Sequence, residues 1–124
     1  MNKARKIAIA GATGMVGQSF LKLLEKDYFQ DSEISLLASS NSAGKEINFR
    51  RQNYKVEDLS KFNFSEFDLA LFSAGSSVAS TYAPIAVSQG CVVVDNSSCF
   101  RYEDDIPLIV PEVNSKVLDN YELP

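Results

Sequence analysis

A short apolar run that turns through three evenly spaced glycines constrains this chain more than any other feature. Residues 7–17 read Ile-Ala-Ile-Ala-Gly-Ala-Thr-Gly-Met-Val-Gly, which places the glycines at Gly11, Gly14 and Gly17. Glycine suits a backbone that must turn tightly and let an anion approach, and the amides at the start of a following helix supply donors and partial positive charge. A strand before the glycines and an amphipathic helix after them are typical of a dinucleotide-binding turn. We therefore expect a nucleotide to bind here.

Strand and helix signals alternate along the rest of the chain. Apolar runs predict strands at residues 5–10, 33–38, 67–73, 91–95 and 107–110, the third and fourth of them buried, with a small meander over residues 47–56. This alternation predicts an α/β fold, a Rossmann-like doubly wound, mostly parallel sheet with helices on both faces. The length of 124 residues fits one domain, residues 1–124.

Two helices are predicted between these strands. Val16, Phe20, Leu23 and Leu24 repeat at helical spacing, so the first helix should pack this apolar stripe on the sheet. Val78, Tyr82, Ile85 and Gln89 share a face of the second helix. Pro84 predicts a break or restart in the second helix, because proline lacks the amide donor that a continuous helix needs. Asn114 is a plausible cap for a final helical turn.

Composition and charge exclude several classes of protein. The content of 45% hydrophobic and 23% charged residues is ordinary for a globular protein, and no apolar stretch approaches the ~20 residues that span a bilayer. The basic start is followed by a strand and the glycine turn instead of a signal-peptide core, so we expect a cytoplasmic protein with no membrane partner. A net charge of −4 with scattered lysine and arginine argues against a nucleic-acid partner.

The chain has no histidine and two cysteines, Cys91 and Cys99. Histidine-dependent triads and HExxH metal sites are therefore excluded from these residues, and no metal site is expected. Cys99 lies near Arg101, which could lower a thiol pKa, but no base is available to activate it. We interpret both cysteines as small apolar residues and assign no catalytic residue to this chain.

The loop after the second predicted strand bears on the choice of cofactor. Sites that prefer NAD commonly carry an acidic residue about 20 residues beyond the glycines, where it holds the ribose 2′-hydroxyl. The run from Ser39 to Lys45, Ser-Ser-Asn-Ser-Ala-Gly-Lys, contains no carboxylate. A 2′-phosphate would meet hydroxyls, amides and Lys45 there instead of a repelling charge. NADP is therefore favoured over NAD, with an ordinary solvated loop as the other interpretation.

Two more polar segments follow predicted strands, residues 73–77 and 95–98. Ligands of open parallel sheets collect at the carboxyl edge, so these segments and the loop from Ser39 should converge on one crevice. Arg101 comes directly after them and could hold a phosphate or carboxylate in bidentate fashion. An arginine is as readily a surface ion-pair partner, here for Glu103 or Asp104.

Taken together, five segments resemble the N-terminal part of the bacterial aspartate-semialdehyde dehydrogenases. These are residues 11–17, 39–45, 70–77, 93–101 and 107–114, and the resemblance covers nearly all of the chain. It implies a reductive dephosphorylation, in which NADPH delivers hydride to a thioester formed from β-aspartyl phosphate. The products are aspartate semialdehyde and phosphate, for lysine, threonine and methionine synthesis.

The resemblance also implies roles for single residues. The pyrophosphate would lie next to Gly11, against Thr13, Gly14, Met15 and Val16. The 2′-phosphate would lie beyond Ser39, against Asn41 and Ser42. Ser73, Gly75 and Asn96 would line the cofactor crevice, and Arg101 would bind the substrate phosphate. The family often has arginine at the position of Asn41, so use of NAD as well as NADP is an open alternative.

The family's catalytic cysteine and histidine have no counterpart here. In the family, the cysteine lies in an Asn-Cys-Ser or Asn-Cys-Thr motif soon after the stretch that matches residues 118–124. We therefore expect a cofactor-binding fragment of a longer two-domain enzyme. The fragment should be inactive by itself, and the full-length enzyme should be a homodimer or homotetramer. An N-acetyl-glutamyl-phosphate reductase and a non-catalytic nucleotide-sensing module are alternatives. Sugar epimerases and short-chain reductases need a Tyr-x-x-x-Lys pair, which no tyrosine here provides.

Overall fold

The computed structural model describes residues 5–25, 31–100, 106 and 116. Its main sheet has five parallel strands, in the order β5-β2-β1-β6-β7. These strands are β1 (Lys6–Ala10), β2 (Glu33–Ala38), β5 (Glu57–Asp58), β6 (Leu69–Phe72) and β7 (Val92–Asp95). The sheet confirms the predicted Rossmann-like α/β fold. The strand predicted over residues 107–110, the Asn114 cap and Arg101 lie outside the described residues.

Helices lie on both faces of the sheet, as predicted. They are α1 (Met15–Leu24), which follows β1, and α2 (Ser76–Ser88), which follows β6. One core cluster joins α1 to Ile7, Ile9, Ile34 and Leu36, and the other joins α2 to the opposite side chains of the same strands. In the described residues, no helix is long and apolar enough to cross a membrane.

The predicted meander is a separate antiparallel hairpin of β3 (Glu46–Phe49) and β4 (Gln52–Lys55). Its tip residues, Arg50 and Arg51, both have positive φ, as a two-residue hairpin turn of type I′ requires. Phe49 is fully buried in the α1 cluster, so the hairpin packs on the same face of the sheet as α1.

The predicted apolar stripe of α1 is partly wrong. Gly17, Leu21 and Leu24 are the buried residues of α1, whereas Val16 and Leu23 are 45% and 55% exposed. The reason lies in Gly17, because a residue without a side chain lets the helix backbone come closest at that point. The contact line therefore runs through Gly17, Leu21 and Leu24, and of the predicted stripe only Leu24 and the half-buried Phe20 contribute to the core.

The predicted break at Pro84 is also wrong, since α2 continues through it to Ser88. The residues that α2 buries are Ala79, Ala83 and Ala86, while Pro84 itself is exposed. The proline ring therefore points to solvent, where water can satisfy the carbonyl that lacks an amide partner.

The predicted burial of β6 and β7 is only partly right. Ala70 and Phe72 of β6 are fully buried, but Leu69 and Leu71 on its other face are half-buried. Val94 of β7 is 52% exposed. It pairs with Leu71 on the α1 side, at the edge of the described sheet, where α1 does not reach across.

Candidate functional site

The strand register aligns the carboxyl ends of the strands at one edge. Ala10 pairs with both Leu37 and Phe72, and Phe72 pairs with Asp95. The order of the strands reverses at β1, because β2 extends the sheet to one side and β6 to the other. Such a reversal leaves a crevice at the carboxyl edge in which ligands bind to open α/β sheets.

A cavity of about 480 Å³ lies at this edge. Its walls come from the glycine turn, the end of β2, the end of β5 with its following turn, the end of β6 and the first half of α2. The cavity brings together five of the predicted site residues, Gly11, Thr13, Gly14, Ser39 and Ser73. Segments far apart in sequence therefore meet in one concave site.

The first turn is fixed by close contacts at two of its glycines. Gly11 has φ +88°, and a Cβ built there would lie 2.9 Å from the carbonyl carbon of Ser73. A Cβ on Gly17 would overlap the Gly11 carbonyl oxygen and lie 2.9 Å from the Cα of Ala12. The amides of Gly11 and Ala12 both donate to the Leu37 carbonyl, at 2.9 and 3.1 Å. Gly11 and Gly17 are thus required by the fold itself.

Gly14 has no such internal constraint. Its φ is −80°, and a Cβ built there would meet the Gly11 carbonyl oxygen at 3.4 Å, an ordinary van der Waals distance. Gly14 is exposed and lines the cavity. The absence of a side chain at this position therefore keeps the surface of the cavity open.

The N-terminus of α1 opens beside Gly14. The first helical bond runs from the Gln18 amide to the Gly14 carbonyl at 3.0 Å, so the amides of Met15 and Val16 have no acceptor within the helix. Among the described residues no side chain caps this end, and its first turn carries no acidic residue. Met15 and Val16 are exposed. The turn can therefore donate backbone hydrogen bonds to an anion.

The loop after β2 forms the next wall. The amides of Ser42 and Ala43 donate to the Ser39 carbonyl at 2.9 and 3.0 Å, which folds the loop into a compact turn. Its far end is paired with Val56, whose carbonyl accepts from Gly44 at 2.8 Å. Ser39 lines the cavity, whereas Asn41 is exposed and Ser42 half-buried beside it.

The edge formed by β6 and β7 carries the remaining predicted residues. Ser73 donates to the Ala10 carbonyl from its amide at 2.9 Å and from its hydroxyl at 3.3 Å, which holds it next to the glycine turn. Gly75 is the N-cap of α2, and the Asn96 amide donates to the Phe72 carbonyl at 3.1 Å. Ser73 lines the cavity, while Gly75 and Asn96 lie on the exposed edge next to it.

Sequence reasoning missed the wall that β5 supplies. Asp58, Leu59 and Ser60 line the cavity, as do Val78 and Tyr82 of α2. A strand of two residues leaves almost no periodic signal, which explains the miss. The spacing Asp-Leu-Ser could have indicated a local cap, since the Asp58 carboxylate accepts from the Ser60 amide at 2.9 Å.

The two cysteines lie in different environments. Cys91 is buried, and this burial, with a smaller effect from Asp68, raises the pKa of its thiol to about 11. Its thiol is therefore protonated at neutral pH. Cys99 is half-buried in a turn held by Ser97, whose hydroxyl accepts from the Cys99 amide at 3.2 Å.

Comparison with known proteins agrees with this geometry. Residues 6–121 match the family described as "Semialdehyde dehydrogenase, NAD binding domain". Over 121 residues the chain is 54% identical to the aspartate-semialdehyde dehydrogenase of Legionella pneumophila, covering 98% of this chain and 35% of that protein. The chain thus spans about a third of the length of the curated relatives it matches.

Two solved structures share the fold. One is aspartate semialdehyde dehydrogenase II from Vibrio cholerae complexed with ASA, at 44% identity and a TM-score of 0.88, covering 94% of this chain and 38% of that one. The other is aspartate semialdehyde dehydrogenase with NADP from Candida albicans, at 34% identity and a TM-score of 0.80, covering 94% of this chain and 36% of that one. The chain belongs to the semialdehyde dehydrogenase family, and the matched residues form that family's nucleotide-binding domain.

Proposed function

We propose that this chain is the NADP-binding part of an aspartate-semialdehyde dehydrogenase. The observation that carries the proposal is Gly14, a glycine that the fold does not need and that borders the cavity beside uncapped backbone amides. Its bare surface and the α1 N-terminus fit a pyrophosphate, which needs close backbone approach and hydrogen-bond donors. Gly11, Thr13, Gly14, Met15 and Val16 would hold that group.

The adenosine 2′-phosphate belongs at the loop after β2. Ser39, Asn41, Ser42 and Lys45 offer hydroxyl, amide and ammonium groups, and the loop has no carboxylate to repel a phosphate. The relative from Candida albicans, which was solved with NADP, supports the same choice.

The nicotinamide half would extend towards β6 and β7, along Ser73, Gly75 and Asn96. When bound, NADPH supplies the hydride for reduction of an acyl group. Arg101, five residues after Asn96, would bind the substrate phosphate through its guanidinium.

The reaction proposed for the whole enzyme is the reductive dephosphorylation of β-aspartyl phosphate to aspartate semialdehyde. It would serve lysine, threonine and methionine synthesis in the cytoplasm, in a homodimer or homotetramer. The 124 residues contain no histidine, and Cys91 is buried and protonated, so the part proposed for them in this reaction is to bind and orient the cofactor and, through Arg101, to hold the substrate phosphate.

Substitution of Gly14 by valine tests the proposal. The new side chain would occupy the surface where the pyrophosphate must approach, so calorimetric titration should show loss of NADP binding while the circular-dichroism spectrum stays unchanged. Ser19→Val, which places a valine at an exposed position of α1 more than one turn beyond Gly14, is the matched control and should bind normally. Unchanged NADP affinity in a folded Gly14→Val variant would refute the site.

A further inference from the structure

Asp58 occupies a defined place relative to the proposed cofactor. The pyrophosphate site lies at the end of β1, and the adenosine ribose belongs at the end of β2. Asp58 ends β5, the next strand outward, and pairs with Ala38, the residue before Ser39. In a cofactor bound this way, the base attached to the ribose would face the part of the cavity wall that Asp58 and Leu59 supply.

The Asp58 carboxylate is held in place and keeps one oxygen available. Its Oδ1 accepts from the Ser60 amide at 2.9 Å and from the Ser60 hydroxyl at 2.7 Å. Its Oδ2 has no hydrogen-bond partner among the described residues. The two bonds from Ser60 lower the pKa of Asp58, so the group is ionised at neutral pH and acts as an acceptor only.

This chemistry suits one edge of adenine. The 6-amino group of adenine is a donor, and a fixed carboxylate oxygen is a complementary acceptor. A purine with an oxygen at position 6 would instead direct a lone pair at the negative charge. Leu59, which is 5% exposed and lines the same wall, offers an apolar contact for the base.

We propose that Asp58 recognises the 6-amino group of the cofactor's adenine and is the residue that selects this base. The inference rests on the proposed function, because it requires the nucleotide to lie across the carboxyl edge with its adenosine towards β5. It adds a residue that determines base specificity, and this residue belongs to β5, which is separate from the glycine turn and from the loop after β2.

The test compares NADP with its hypoxanthine analogue, nicotinamide hypoxanthine dinucleotide phosphate, by calorimetric titration of the 124-residue chain. The unsubstituted chain should bind NADP at least about tenfold more tightly, since a hydrogen bond to a charged group is lost with the analogue. Asp58→Asn presents either a donor or an acceptor, so the ratio of the two dissociation constants should fall to within about threefold.

Glu57→Gln is the matched control, because it removes the same charge from the neighbouring exposed residue of β5. It should leave the ratio unchanged. Equal binding of the two nucleotides by the unsubstituted chain would overturn the inference without any variant, and so would an unchanged ratio in Asp58→Asn. Failure of the unsubstituted chain to bind either nucleotide would instead refute the proposed function, together with the inference that depends on it.

Discussion

Gly17 brings the backbone of α1 against the turn that precedes it, and Gly11 brings that turn against Ser73. Both positions exclude a side chain for reasons internal to the fold. Gly14 differs, since a Cβ there would make only an ordinary contact. The spacing of the three glycines predicted the turn, but the sequence could not separate these roles, because each role depends on which backbone atoms lie opposite.

Asn41 is the residue at which the choice between NADP and NAD can be tested. Replacing it with arginine should tighten NADP binding about tenfold and leave NAD nearly unchanged, because a guanidinium can pair with the 2′-phosphate that NAD lacks. Calorimetric titration with each nucleotide measures both effects. Asn53→Arg, an exposed position on β4, adds the same charge away from the site as a control. Equal tightening of both nucleotides by Asn41→Arg would show that residue 41 does not face the 2′-phosphate.

Among the elements, the β3–β4 hairpin supports the loop that follows β2. At its base, Val56 accepts from Gly44 and donates to the Lys45 carbonyl, both at 2.8 Å. At its tip, the Arg50 guanidinium donates to the carbonyls of Ser32 and Leu24, the latter at 3.2 Å, and lies over the Phe49 ring. The hairpin therefore ties the loop to the end of α1.

Arg50→Ala should destabilise the chain by about 2 kcal/mol, because two backbone carbonyls lose a charged donor. Urea denaturation followed by circular dichroism gives this value. Arg51→Ala is a close control, since Arg51 is an exposed neighbour that shares the positive φ, and its change should stay within about 0.5 kcal/mol. A similar loss of stability in both variants would mean that the contacts of Arg50 do not hold the hairpin.

The accuracy of prediction also varied among the elements. Strand β2 was predicted with its observed bounds, because its apolar residues, Ile34, Leu36, Leu37 and Ala38, stand between polar segments. The two helices were predicted, but their buried faces only in part, because Gly17 and the alanines of α2 decide the closest contacts by being small. Strand β5, and with it Asp58, was missed because two residues carry no period.

On the scale of the whole molecule, the strand order decides what the site can hold. With β1 at the centre, the uncapped N-termini of α1 and α2 lie at the same edge of the sheet, to either side of the reversal. An extended dinucleotide could bind across this edge with its pyrophosphate at the centre, its adenosine towards β2 and β5 and its nicotinamide towards β6 and β7. Alternation of strands and helices predicted this arrangement, but the walls of the cavity depend on register, which the sequence does not reveal.

The most direct test of NADP binding at the carboxyl edge is a titration of the ¹⁵N-labelled chain with NADP, followed through its backbone amide resonances. We predict the largest shifts at the carboxyl edge, in residues 11–17, 39–42, 58–60 and 73–75, with little change at the opposite edge around Lys6, Glu33 and Asp68. Shifts confined to that opposite edge, or no shifts at millimolar NADP, would contradict binding of the dinucleotide at the carboxyl edge.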